Sequence, residues 1–166
     1  MKKKELEKLV LAALKEKLVP FDFAYKAARR SYVRKTDSGK FSFHLAFLQY
    51  RGDFDVVADL GIRLDAIHER FDPKGEMGDY SFGVEVGNWT EGKQKRWTVN
   101  SEETAKAAVM ALEVVFKDIA LPYFEKYSDP SEALELLQDP ARGWLHSPID
   151  SCRSLAISSL KELLRS

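Results

Sequence analysis

Two segments of alternating side chains constrain this chain more than anything else in it. From Phe41 the odd positions are apolar: Phe41, Phe43, Leu45 and Phe47. From Phe54 the even positions are apolar: Phe54, Val56, Ala58, Leu60, Ile62 and Leu64. Period two sends successive side chains to opposite faces, so each segment is a strand with one buried face. Tyr50-Arg51-Gly52-Asp53 lies between them, a short link with a glycine for a positive φ. With Arg51-Gly52 as a two-residue loop, Phe47 meets Val56, Leu45 meets Ala58, Phe43 meets Leu60 and Phe41 meets Ile62. The other face then pairs Leu48 with Asp55, His44 with Asp59 and Lys40 with Arg63. A slip of one residue would turn every side chain to the wrong face, so the pattern predicts one hairpin in one register.

The remaining elements are read around this hairpin. Leu6, Leu9, Val10, Ala13, Leu14 and Leu18 recur at helical spacing, and Pro20 ends a helix over 3–18. Ala24 to Lys35 reads as a strand. Asp65–Phe71 reads as a short helix, and Tyr80–Val86 as a third alternating strand interrupted by Gly83 and Gly87. A turn over Trp89–Gln94 leads to a last strand, Arg96–Val99. After residue 100 the pattern is helical. Asn100 with Glu103 forms an N-terminal cap, and Ala105, Ala108, Val109, Leu112, Val115, Phe116 and Ile119 form the stripe that Pro122 breaks. Asp129 with Pro130 and Glu132 starts the next helix, anchored by Leu134 and Leu137 and stopped by Pro140. Ser147-Pro148-x-Asp150 starts the last one, carried to about Leu164 by Ile149, Cys152, Ala156, Leu160 and Leu163. The expectation is one α+β domain over 1–166, sheet-rich over 21–100 and helical over 101–166. Its antiparallel sheet has four to five strands, with N-terminal and C-terminal helices packed on one face.

Composition narrows the function classes. The 166 residues hold 26 Lys+Arg and 26 Asp+Glu, which removes the simplest argument for nucleic acid or an anionic membrane as partner. Hydrophobic residues at 45% are too many for a disordered chain. A single cysteine, Cys152, excludes an internal disulfide and a cysteine-based zinc site. No apolar run approaches the roughly 20 residues of a membrane span. The basic start meets acidic residues where a signal peptide needs an apolar stretch, so a cytoplasmic location is expected. No cofactor motif is present. The loop Gly75–Gly78 lacks the lysine and hydroxyl of a phosphate loop.

Three stretches in order carry a resemblance. They are the hairpin Phe43–Leu64 ending Asp-Leu-Gly-Ile-Arg-Leu, then Trp97-Thr-Val-Asn-Ser-Glu-Glu opening a long helix, then Ala120-Leu-Pro-Tyr-Phe-Glu-Lys-Tyr-Ser-Asp before a leucine-bearing helix. Over roughly residues 1–140 the chain resembles the bacterial family called domain of unknown function 4304. The resemblance implies an α+β domain of bacterial origin and no activity. Proteins of this kind are similar in size and plan to immunity proteins that neutralise secreted bacterial toxins, a likeness of fold alone.

Candidate sites follow from the outward positions. His44 beside Asp59 is the minimum of a general base with its orienting partner, although a nucleophile is missing. The plainer reading is a solvated cross-strand ion pair of about 0.2–1 kcal/mol. Asp65, His68, Glu69 and Asp72 offer oxygen and nitrogen ligands for a divalent metal, or simply a polar helix face. Residues 1–100 carry 19 basic and 15 acidic side chains, and residues 101–166 carry 7 and 11. Lys26, Arg29, Arg30, Arg34 and Lys35 run without an acid, and Lys93, Lys95 and Arg96 flank Trp89 and Trp97. Such a basic edge could meet an acidic protein or single-stranded RNA, or could simply guard an edge strand. A non-enzymatic protein-binding module fits best, with a toxin effector as the kind of partner. Arg30, Tyr50, Trp89, Arg96 and Trp97 are its anchors, being the aromatic and arginine types that dominate interfaces. A His44–Asp59 or metal-assisted hydrolase and an RNA-binding domain are the alternatives.

Overall fold

The computed structural model describes residues 1–75 and 78–166, so the Gly75–Gly78 loop lies partly outside the described residues. The hairpin forms in the predicted register. β3 (Gly39–Gln49) and β4 (Phe54–Leu64) pair antiparallel, with Phe47 opposite Val56, Leu45 opposite Ala58, Phe43 opposite Leu60 and Phe41 opposite Ile62. The Tyr50 N–H donates to the Asp53 carbonyl at 3.0 Å, closing the link.

Around this pair stand β1 (Ala24–Lys26), β2 (Ser31–Thr36), β5 (Phe82–Glu85) and β6 (Trp97–Val99). The order is β1-β2-β3-β4-β5, and β6 joins β4 farther along the same edge as β5, giving six antiparallel strands. The single strand expected from Ala24 to Lys35 is two strands folded on each other. Ala27–Arg29 makes one tight helical turn, and Arg30 takes the left-handed conformation at φ 48°. That turn contains neither glycine nor proline, so the usual punctuation is missing.

The helices form one contiguous cluster with the sheet's inner face. α1 (Lys3–Leu18) buries Leu6, Val10, Leu14 and Leu18. α2 (Asp65–Phe71) follows β4 directly, and α3 (Val86–Thr90) occupies the end of the expected third strand and the start of the expected turn. α4 (Glu102–Val115) is capped by Ser101, not Asn100: the Ser101 hydroxyl accepts the Thr104 N–H at 3.1 Å, and the Thr104 hydroxyl accepts the Ser101 N–H. Pro122 does not break the stripe. A wide π-turn at Phe116–Ala120 lets the chain continue into α5 (Leu121–Tyr127), and the ring sits at the first turn of α5, where a missing N–H is tolerated. α6 (Pro130–Gln138) begins as expected, with the Glu132 N–H on the Asp129 carboxylate; its fully buried residues are Ala133, Leu136 and Leu137, while Leu134 is partly buried.

α7 (Gly143–His146) was not expected. α8 (Asp150–Arg165) has Ile149 as its cap and no side-chain cap bond, so Ser147 does not fill that role. Among the described residues no helix is long and apolar enough to cross a membrane.

Candidate outer-face groove and hairpin-end cluster

The outer face of the sheet is built from the side chains that alternation turns away from the core. One transverse row crosses four strands: Ser31, His44, Asp59 and Glu85 are successive partners from β2 to β5. The next row is Val33, Ser42, Gly61 and Gly83. Two glycines side by side leave a trough. The Tyr80 ring fills part of it, so close that a Cβ at Gly61 would lie 2.9 Å from the ring. A Cβ at Gly83 would meet the Leu60 carbonyl at 2.2 Å.

This face is concave. A groove of about 1150 Å³ runs over it and past β5, with Ser42, His44, Asp59 and Glu85 on the polar side. Leu145, Pro148, Ile149 and Cys152, from α7 and the start of α8, supply an apolar wall. The Ala27–Arg30 turn forms the opposite rim. The volume is somewhat larger than small-molecule sites usually occupy.

His44 Nδ1 lies 3.2 Å from Asp59 Oδ2, both side chains about two-fifths exposed, so the cross-strand pair expected from the sequence forms at the groove floor. Glu85 is committed elsewhere. Its carboxylate accepts the N–H groups of Gly87 and Asn88 at 2.8 Å and of Lys95 at 3.2 Å, capping α3.

At the inner end stands His146, 1% exposed, stacked on Tyr123 and edge-on to Trp89. Its Nδ1 is 2.8 Å from the Tyr123 hydroxyl. Burial, then the Arg142 cation, push its pKa down to about 4, so the imidazole is neutral at pH 7. Burial holds the Tyr123 phenol well above its ordinary value, so it keeps its proton; Nδ1 is the acceptor within reach of that hydroxyl among the described residues, and donating there leaves no phenol proton orphaned. The imidazole proton therefore sits on Nε2. His146 Nε2 and Ser42 Oγ are the two buried side-chain polar atoms without a partner among the described residues. Ser42 was missed although the signal existed, because it shares the even positions of β3 with His44 and faces a glycine. His146 carried no such signal, since its burial depends on α7.

The acidic cluster after β4 assembles only in part: His68 and Asp72 are both turned inward, Nε2 3.5 Å from Oδ2, whereas Asp65 accepts from Arg63 Nε at 2.7 Å and Glu69 is exposed. His68 Nε2 lies 3.0 Å from the Gly78 carbonyl and Nδ1 3.3 Å from the Ser81 hydroxyl, so it ties the loop to α2; burial first, then Arg63, lower its pKa. Among the described residues no three His, Cys, Asp or Glu side chains converge as metal ligands.

The five expected anchors do not form one patch. Tyr50 and Arg96 meet at the end of the hairpin, where an Arg96 guanidinium N–H donates to the Tyr50 hydroxyl at 2.7 Å and the cation pairs with Asp55 at 3.6 Å. Trp97 follows on β6, with Lys95 Nζ 5.8 Å from its ring centre. Arg30 is held apart, paired with Glu7 at 3.4 Å and lying 5.0 Å from the Phe47 ring. Trp89 is packed against Tyr123 and Tyr127, with the Arg142 guanidinium 3.6 Å over its ring.

Comparison with known proteins adds no relative: no family model, no curated protein and no solved structure matches the chain.

Proposed function

We propose that the chain is a non-enzymatic protein-binding module that meets its partner through the hairpin end. The observation that carries this reading is the joined pair Tyr50 and Arg96, next to Trp97. Tyr50 is 45% exposed and its hydroxyl already fixes the guanidinium, so two rigid anchors are presented at low entropic cost. Arg51, next to Tyr50 in the exposed link, adds positive charge suited to an acidic partner surface. The resemblance to the domain of unknown function 4304 family and the likeness in plan to immunity proteins suggest a bacterial toxin effector as that partner, met in the cytoplasm.

The test is a titration of the full chain against the products of the genes flanking its own, by calorimetry. One of them binds, and the double variant Tyr50→Ala, Arg96→Ala weakens that complex at least about tenfold while the melting temperature stays nearly unchanged. No binding by any flanking product, or binding indifferent to the double variant, overturns the proposal.

A His-dependent hydrolase is the second reading, favoured by one observation: His44 and Asp59 lie on the floor of a groove and not on a flat face. It still wants a nucleophile, because Ser42 Oγ makes no hydrogen bond to His44. Hydrolysis of generic ester substrates that disappears in His44→Ala would establish it. The basic run gives RNA binding less support: Arg29 is paired with Asp79, Arg30 with Glu7, and Arg34 lies over the Phe23 and Phe41 rings.

A further inference from the structure

α4 is apolar on two sides. Its core side is Ala105, Ala108, Val109, Leu112 and Val115. Its outer side carries Ala107, Met110 and Val114 at three- and four-residue spacing, with Met110 68% and Val114 57% exposed. From Ala107 to Val115 the one charged or polar side chain is Glu113. A helix that is apolar all round belongs in an interior, yet this chain covers only one side of it. Val19, also exposed, extends the apolar surface. It lies in the chain between Lys17 and Phe21, which touch α4 at Glu113 (3.5 Å) and at the Phe116 ring.

The charges beside this stripe say what fits it. Glu102, Lys106, Glu113 and Lys117 run acid, base, acid, base, paired within the chain as Glu102–Lys106 and Glu113–Lys117 at 2.8 Å. The order changes sign about a point beside Met110. Glu102 and Lys117 stand equally far from that point, and so do Lys106 and Glu113. A second α4 turned end for end there sets Lys106 against Glu113 and Glu102 against Lys117. The same register, within one residue, lays Met110 on Met110 and Ala107 on Val114. The surface is thus complementary to itself, as a two-fold contact requires. Glu103 and Asp118 come together at the outer ends, which keeps the attraction modest.

We propose that the outer stripe of α4 is a dimerisation surface, pairing antiparallel with α4 of a second copy of this chain about a two-fold axis at Met110. One helix pair is at the small end of specific interfaces, so the dimer forms and parts with concentration. The contact uses no residue of the hairpin end, so it stands or falls independently of the protein-binding reading.

The test is sedimentation equilibrium of the full chain over about 1–300 μM, where monomer passes into dimer. Met110→Glu puts two like charges at the axis. It weakens dimerisation at least about tenfold and, at an exposed position, leaves the melting temperature of the dilute chain nearly unchanged. Met110→Cys cross-links to its own copy on mild oxidation, read on a non-reducing gel. Glu103→Cys does not, because it is on the same stripe but about 21 Å from its own copy in this register. The native Cys152 is buried and takes no part. Four outcomes overturn the proposal: the chain stays monomeric across that range, the dimer survives Met110→Glu, Met110→Cys fails to cross-link, or Glu103→Cys cross-links as readily.

Discussion

Gly83 and Ser42 show how much of the outer face rests on single residues. A methyl at Gly83 has nowhere to go, because the atom it meets at 2.2 Å is a backbone carbonyl of the neighbouring strand. Gly83→Ala is expected to cost about 1–3 kcal/mol in urea unfolding, through displaced β4–β5 pairing. Gly61→Ala meets only the Tyr80 ring, a side chain that can move, and costs less. Ser42 is the opposite case. Its hydroxyl is buried at 1% exposure without a partner, so Ser42→Ala removes a cost instead of a bond. The variant is expected to unfold at an equal or higher urea concentration.

The buried histidines give the chain an acid limit. The folded-state pKa of His146 lies at about 4, below its ordinary 6.5, and that of His68 is lowered too. Between those two pH values the unfolded chain binds more protons, so stability is full above pH 6.5 and falls as pH drops towards 4. For His146 the loss reaches up to about 3 kcal/mol. Urea midpoints measured across this range should fall with acid, and the double variant His146→Phe, Tyr123→Phe should flatten part of that fall.

At the scale of elements, helix ends answer to local chemistry. Asp129→Ala removes the acceptor of the Glu132 N–H and is expected to cost about 1 kcal/mol in chemical unfolding, with Ser101→Ala similar at the head of α4. Elements were legible in the sequence where one period or one signal acted alone. The β3–β4 register could be read because each one-residue slip buries Asp59 or exposes Phe43, so alternatives are expensive. The capping residue of α4 could not be separated by one position, because Asn100 and Ser101 are both good caps and the Thr104 hydroxyl bonds to both backbone N–H groups. The fold-back at Ala27–Arg30 was silent, since Arg30 holds a left-handed φ where glycine would announce it. The His44–Asp59 pair was visible for the same reason as the hairpin. The groove around it was not, because α7 and the first turn of α8 approach it from more than 80 residues away in the chain.

At the scale of the molecule, the core is an aromatic layer between sheet and helices. Phe116 meets Phe21, Phe23 and Phe43 edge-on, at centroid distances of 5.4, 4.9 and 5.4 Å, and Phe124 stacks on Phe41 at 5.0 Å. Phe116 therefore joins the segment after α1, the hairpin and the π-turn, and Phe116→Ala is expected to cost about 3–5 kcal/mol and to lower the single unfolding transition of the whole chain. Separate loss of one part, seen as a second transition, would contradict such coupling. Glu85 makes a different kind of junction. β5 and β6 are distinct strands on one edge of β4, and the stretch between them is clasped by this one carboxylate, which touches Lys95 just before Arg96. The floor of the groove and the tip of the hairpin are thus joined through one side chain: Glu85, in the same row as His44 and Asp59, holds the Lys95 N–H, and Arg96 is the next residue along the chain.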